Sequence, residues 1–533
     1  MKKFLALLLA LVMVLGLAAC GPKDNADETK PSDSQPANTD PATTPTEEQG
    51  GIVAADKLSH DKAVKVQLVM GGTNRRDTKT TVAEAAVKYV KEKLNIDLEI
   101  VWVPDGETPS TILSTGKGWD LGYCDSAIFQ NLAGRNAFLD LGPYIEKGYL
   151  AYPVENLTEG QKLGHQINGK QVGFAPVKDL AEGWNWIYNA TVIEQQLGLT
   201  VPEWQSGFDL VQHFYDIKEK AKGTEWENCV IGGPGQIYMP FWFQYDGIVG
   251  AWNDVIVATN IDLEKMSSFD DIDPMKAFCP YFTKDFAEWC KLRKQFIADG
   301  IEWGYAKDAG DARSHINGGY LFTSTCGNIV FANPSTDYEL KMSNQKAAYT
   351  YTGYVQAVSV VVNANTENPE RVLELMNLMY EDDYWNTIWR AGIEGTNWID
   401  ADKDGILEWT KVHAKGGYSR NWYGSHLAYS LYQGVMDAAV TGTKEEFVNA
   451  LKSLNDNSVA TPHLGFTFDQ TKVTNEISAC AGVVKEYMNQ LMYPASVNDV
   501  DATIKAFQDK LTANGVEKII AEVQAQLDAW HKK

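Results

Sequence analysis

The sequence predicts an α/β fold divided into two or more lobes. Three observations carry this expectation. A chain of 533 residues, 44% of them hydrophobic, outruns a single apolar core. Strand-type alternation, helical periodicity and strand-type alternation succeed one another between Val64 and Val103, the pattern of a β-α-β crossover with parallel strands. The strand-then-helix order returns further along, and the C-terminal end reads as helices led in by Val500-Asp501-Ala502 and by Gly515-Val516-Glu517.

The first elements are not part of that fold. A basic head (Lys2, Lys3), an apolar run from Phe4 to Leu15 and the small-residue site Leu17-Ala18-Ala19-Cys20 make an export signal over 1–19. The run is shorter than the roughly 20 residues a bilayer requires. Cysteine directly after the cut resembles the bacterial lipobox, which implies that Cys20 becomes a lipidated N-terminus. The alternative is an ordinary cleaved signal. From residue 21 to about 58 the chain is rich in Pro, Ser, Thr, Asn, Asp and Glu. Such a stretch buries too little surface to offset its ordering entropy and reads as a flexible tether.

Folded structure is then expected. Val64 to Met70 alternates as a strand, Gly71-Gly72-Thr73-Asn74 is a turn, and Val82, Ala86, Val87, Val90 and Leu94 fall on one helical face. Ile96 to Val103 is the second strand. Trp119 to Tyr123 is a third, with Ser126 capping a helix to about Gly134. Val172 to Pro176 and Trp184 to Tyr188 are extended, and a long, mainly helical stretch runs to about residue 300. Val355 to Val362 is a near-continuous β-branched strand, and Asn368-Pro369-Glu370 starts a helix to Tyr380. No internal repeat appears.

Composition excludes several functions. Net charge is −23, and −25 once the leader is removed; a surface this acidic lacks the basic footprint of nucleic-acid binding and does not adhere to anionic lipid. Seven cysteines show no C-x-x-C spacing; beyond Cys20 they read as small buried hydrophobes, with a Cys279–Cys290 disulfide as the alternative in an oxidising setting. The eight histidines show no metal-binding spacing, and no H-E-x-x-H, G-x-S-x-G or P-loop occurs. Asp400-Ala401-Asp402-Lys403-Asp404-Gly405 matches the first half of a calcium loop, but Lys411 stands where the bidentate Glu belongs, so it reads as a charged turn. No metal or cofactor is expected.

The order of elements resembles the family 1 extracellular solute-binding proteins of ABC importers, in the large lipoprotein subgroup of Gram-positive bacteria. The segments that carry the resemblance are the lipobox and tether, the opening strand-turn-helix-strand, and Trp184-Asn185-Trp186-Ile187-Tyr188-Asn189 with Leu197-Gly198-Leu199. Tyr354 to Val362 with Asn363-Ala364-Asn365, Gly392-Ile393-Glu394-Gly395, and Gly465-Phe466-Thr467-Phe468-Asp469 with the helix from Gly515 to Trp530 complete it. The resemblance implies a type II periplasmic-binding-protein-like fold, each lobe a mainly parallel sheet flanked by helices. Lobe I takes 59–185 and 357–400, lobe II takes 186–356 and 401–480, and 481–533 are extra helices packed on the lobes. It further implies a monomer on the outer face of the cytoplasmic membrane, closing on a ligand in an inter-lobe cleft and delivering it to an ABC permease.

A sugar offers a flat C–H face and a ring of hydroxyls, which aromatic faces and planar polar groups match. The 16 tryptophans of the chain suit that chemistry. Candidate contacts at strand ends are Asn74, Arg75 and Asp125, the first two also readable as a turn and the last as a helix cap. Trp184 and Trp186 share one face of an extended segment, as a stacking platform or as core. Trp242, Tyr245 and Trp252 sit in an aromatic, Gly-rich stretch, and Tyr354 precedes the second crossing; Trp422 and Tyr423 are weaker candidates. The expected function is capture of an oligosaccharide without chemical change. A surface glycoside hydrolase, whose two acids leave no local signature, a peptide-type receptor and an adhesion protein are the alternatives.

Overall fold

The computed structural model describes residues 51–532, apart from interior stretches of which 72–77, 233–244, 262–271, 303–319, 327–337 and 411–448 are the longest. The leader, Cys20 and the tether up to residue 50 lie outside the described residues. Order sets in earlier than the composition suggested. Ile52, Ala55 and Leu58 pack on an apolar core, Ala55 N–H donates to the Lys147 carbonyl at 2.9 Å, and the Tyr149 hydroxyl donates to the Val53 carbonyl at 3.0 Å. A few apolar side chains at the end of a polar stretch are enough to dock it.

In chain order the strands are β1 (Val64–Met70), β2 (Ile96–Trp102), β3 (Leu121–Cys124), β4 (Trp184–Asn189), β5 (Tyr245–Val249), β6 (Val257–Asn260), β7 (Phe322–Cys326), β8 (Leu340–Asn344) and β9 (Ser359–Val362). The helices used below are α1 (Ala83–Leu94), α2 (Ser126–Ala133), α3 (Val211–Lys220), α4 (Lys284–Ala298), α5 (Pro369–Glu381), α6 (Asp383–Ala391), α7 (Thr474–Leu491), α8 (Val500–Ala513) and α9 (Val516–Trp530).

The first sheet runs β9-β3-β1-β2. β1 is parallel to β2, Val64 opposite Ile96 through Met70 opposite Trp102, and parallel to β3; the expected β-α-β unit is present. β9 is antiparallel to β3, with Ser359 opposite Cys124. Every residue of β3 and β9 is buried, as a sheet covered on both faces requires. One face packs under α1, α5 and α6 through Val66, Leu68, Ala86, Met376 and Trp389. The other packs on α2 through Val69, Trp119, Phe129 and Val361.

A separate, larger core gathers Trp186, Phe214, Trp289 and Phe322 with Val484, Phe507, Ile519 and Val523 of α7, α8 and α9. The C-terminal helices are therefore part of this second core. Its sheet corrects the expectation of parallel strands: β4 lies between β7 and β8 and is antiparallel to both. Among the described residues, parallel pairing reaches this sheet through isolated bridges from Ile231 to Phe322 and to Glu302. Alternation in short strands specifies which face is buried, and it is silent on direction. The stretch read as helical also contains the β5–β6 hairpin.

The expected strand from Val355 is shorter than predicted. Thr352–Val355 forms one helical turn, with Gln356 N–H donating to the Thr352 carbonyl at 2.9 Å, and extension begins only at Ser359. β-branched content alone cannot separate a single turn from a strand. Cys279 and Cys290 are free and buried, so the disulfide alternative does not hold; burial pushes both thiols up to about 12. Among the described residues, no helix is long and apolar enough to cross a membrane.

Candidate functional site

The carboxyl ends of parallel strands in an open α/β sheet are where ligands collect. Here that edge is closed by β3 and the start of α2. Asp125 caps α2, its Oδ1 accepting from Ile128 N–H at 2.9 Å. Ser126 and Gln130 stand one helical turn apart and meet Gln356, which approaches from the segment leading into β9. Gln130 Nε2 donates to Gln356 Oε1 at 2.9 Å and to Ser126 Oγ at 3.1 Å. Gln356 Nε2 donates to the Gly164 carbonyl at 2.6 Å. Gly164 permits this approach, since a Cβ there would lie 2.6 Å from Val355 Cγ1.

An aromatic ladder adjoins the amides. Tyr349 and Tyr351 have ring centroids 5.7 Å apart. Tyr351 and Tyr354 stack at 5.9 Å with 19° between planes. Lys178 Nζ lies 5.2 Å from the Tyr354 ring centroid, within cation–π range. Gln356 is fully buried and its amide is engaged at both ends, so it fixes the half-buried Gln130; the tyrosine faces suit the C–H side of a sugar ring.

Three chain segments meet at this place. Asn455 is buried and holds 178–181: its Oδ1 accepts from Leu180 N–H at 2.8 Å and Ala181 N–H at 3.2 Å, and its Nδ2 donates to the Lys178 carbonyl at 2.6 Å. Tyr349–Thr350 pairs in parallel with Val459–Ala460. Thr352 Oγ1 donates to the His463 carbonyl at 3.2 Å and accepts from Gly465 N–H at 2.9 Å. His463 Nε2 lies 2.8 Å from the Pro274 carbonyl, and its Nδ1 lies 2.9 Å from His531 Nε2. A carbonyl only accepts, so Nε2 carries the proton and Nδ1 accepts from His531. Burial, then the neighbouring His531, lower the His463 pKa against a favourable contact with Pro274.

Beside the crossing, Asp246 on β5 is fully buried. Thr461 Oγ1 donates to its Oδ2 at 2.7 Å, Oδ1 has no partner among the described residues, and burial pushes its pKa up to about 7.

The structure brings only part of the expected site together. Tyr354 stands in the ladder and Asp125 at the strand edge. Trp186 does not line an opening: it is 1% exposed, set edge-on to Phe214 at 5.3 Å. Trp184 is the first residue of β4. Asn74, Arg75, Trp242, Trp252, Trp422 and Tyr423 lie outside the described residues. Tyr245 is buried. Asp402, Asp404 and Gly405 lie outside them too, and Trp398–Ile399 and Glu408–Trp409 on either side pair antiparallel. Lys178, Tyr351, Gln356 and Asn455 escaped the sequence reading. The one legible signal was Gln356, an amide set in the apolar run that starts at Val355.

Comparison with known proteins bears on this geometry. A model of a domain of unknown function (DUF3502) matches residues 462–532. A carbohydrate ABC transporter substrate-binding protein of Streptococcus pneumoniae is 24% identical over 497 residues, 90% of this chain and 93% of that protein. The crystal structure of the N-glycan transport solute-binding protein NgtS from Streptococcus pneumoniae superposes with a TM-score of 0.67 at 20% identity, covering 89% of this chain and all of that one. The alginate-binding protein AlgQ2, solved without calcium ion, follows at a TM-score of 0.52 and 14% identity, covering 88% of this chain and 98% of that one. These likenesses show a two-lobe solute-binding-protein fold. The segments at 178–181 and 350–358 adjoin the two crossings that the sequence resemblance implied. The third segment, 455–465, runs into the region matched by DUF3502.

Proposed function

We propose that this chain is the lipid-anchored receptor of an ABC importer that captures an oligosaccharide and releases it unchanged to the permease. Cys20 carries the lipid on the outer face of the membrane, and the polar stretch after it is the tether. The ligand lies in a cleft between two lobes, one built on the first sheet and one on the second core, with the three crossing segments as hinge. The observation that carries the reading is the Tyr351–Tyr354 stack beside the Gln356 and Gln130 amides at the carboxyl edge of β3. It sets a C–H-binding face beside Gln130, a half-buried amide that the fully buried Gln356 holds in place. NgtS has been crystallised with Man1GlcNAc and with Man5GlcNAc, at TM-scores of 0.61 and 0.60 to this chain and 20% identity in each case. That favours a mannose- and N-acetylglucosamine-containing glycan as the first ligand to test.

Asp125 and Tyr354 are assigned to the cleft, with Asn74, Arg75, Trp184, Trp242 and Trp252 as further contacts. Trp186 is assigned to the core. Calorimetry of the mature chain against a glycan panel tests the reading. Saturable binding of an oligosaccharide, recovered intact by chromatography, is expected. Turnover of the glycan overturns it in favour of a hydrolase, and binding of peptides alone overturns the ligand class.

A further inference from the structure

A second crevice, of about 530 Å³, adjoins the amide cluster at Gln130 and takes in none of the three ladder tyrosines. It is walled by the last turn of α2, by the Gln166–Gln171 hairpin, by residues 465–471 and by the end of α9. A volume of this size accommodates a small ligand. The hairpin turn is set by Asn168 at φ 53° and Gly169 at φ 79°, a two-residue loop that Asn-Gly favours, and it presents Asn168 to the crevice.

The lining has a consistent chemistry. Trp530 is half-buried, fixed edge-on against Phe466 at 6.0 Å and against His531 at 4.8 Å. Gln526 is occupied: it accepts from Asp469 N–H at 2.9 Å and donates to the Asp469 carbonyl at 2.9 Å. The side chains of Asn131, Gln166, Asn168 and Gln470 form no hydrogen bond among the described residues, and the Thr467 hydroxyl is buried without a partner. A buried hydroxyl without a partner is a standing cost that a ligand relieves. Arg135 and Asp469 contribute one charge of each sign, so the lining favours neither a phosphate nor a cation. Amides, one hydroxyl and an indole with no net charge match a neutral ring bearing hydroxyls.

We propose that this crevice is a second saccharide site, distinct from the tyrosine ladder that it adjoins at Gln130, taking one or two neutral sugar rings through Trp530, Thr467 and the free amides of Gln166 and Asn168.

The test uses the mature chain labelled with 5-fluorotryptophan, the Trp530 resonance being assigned by its loss in Trp530→Phe. N-acetylglucosamine and mannose are the probes. A saturable movement of the Trp530 resonance is expected. In the Gln166→Ala/Asn168→Ala chain, altered only on the hairpin, it should weaken roughly thirtyfold, since each of the two lost hydrogen bonds removes about 1 kcal/mol. In Tyr354→Ala it should persist unchanged. A Trp530 resonance that stays still up to the solubility limit of both sugars overturns the proposal. So does a shift that survives the hairpin double substitution, or one that disappears with Tyr354→Ala, because the signal then reports the cleft alone. Failure here leaves glycan binding by calorimetry untouched, so the two readings fall separately.

Discussion

Asn455 and Leu180 are 275 residues apart in sequence, yet the Asn455 carboxamide oxygen accepts from the Leu180 amide at 2.8 Å and from Ala181 at 3.2 Å. One buried side chain thus satisfies two amides and, through its Nδ2, the Lys178 carbonyl. Asn455→Ala leaves three backbone groups without that partner, at about 1–3 kcal/mol for each group that water does not reach. Asn455→Asp keeps the acceptor, loses the donor and buries a charge. Urea unfolding should rank both below the parent chain by at least about 1 kcal/mol; an unchanged midpoint would mean that water replaces the carboxamide.

Two buried groups set opposing pH dependences. Burial raises Asp246 from its ordinary value to about 7. The folded state then favours the protonated acid, so this contribution is fully present below the unfolded value near 4 and is lost as pH rises through 7. Burial lowers His165 to about 3, where its Nε2 lies 2.9 Å from Ser359 Oγ. The folded state favours neutral imidazole, so that contribution is present above about 6.5 and is lost as pH falls toward 3. Between pH 4 and 6.5 the two partly cancel, each with a slope of at most about 1.4 kcal/mol per pH unit. Asp246→Asn should therefore steepen the loss of stability on acidification in that window and raise stability above pH 7. Thermal melts from pH 4 to 8 decide it; parallel curves for the two proteins would remove Asp246 from the account.

The sequence disclosed the elements whose pattern is local. The β1-α1-β2 unit was visible because Val66, Leu68, Ala86 and Val90 alternate or recur at fixed spacing, and Asp125 could be read as a strand-end polar group and cap. Pairing direction was not visible, because Trp186 and Tyr188 share a face whether β7 and β8 run parallel or antiparallel to β4. The same alternation explains Trp186: an extended segment announces that one side holds its tryptophans, and only the surroundings, here Phe214 and Phe322, decide that the side is core. The crossing network was hidden for a different reason. Gln356 gains its meaning from Gly164 and Gln130, 192 and 226 residues away, and no periodicity links them.

Arg293 and Glu302 form a buried ion pair, with Nη2 to Oε1 at 2.6 Å and Nε to Oε2 at 3.3 Å. Both side chains are at most 1% exposed. Removing one partner leaves an uncompensated charge in the second core, so Glu302→Leu alone should cost about 3–5 kcal/mol. Arg293→Met with Glu302→Leu removes both charges and should recover most of that loss. A double-substituted chain less stable than either single one would show that further contacts of Arg293 dominate.

Trp186 and Tyr354 separate fold from function in one experiment. Trp186 is enclosed, so Trp186→Ala opens a cavity and should cost about 3–5 kcal/mol. Glycan affinity, measured where the protein is still folded, should hardly move. Tyr354 is half-buried at the end of the ladder, with Lys178 over its ring. Tyr354→Ala should shift the melting temperature little and weaken glycan binding roughly tenfold, as loss of one stacking face does. Tyr354→Phe keeps the ring and should bind nearly as the parent chain does. If Trp186→Ala instead abolished binding in a chain that melts normally, the indole would have to leave the core to meet the ligand. The division between the second core and the tyrosine ladder would then be drawn in the wrong place.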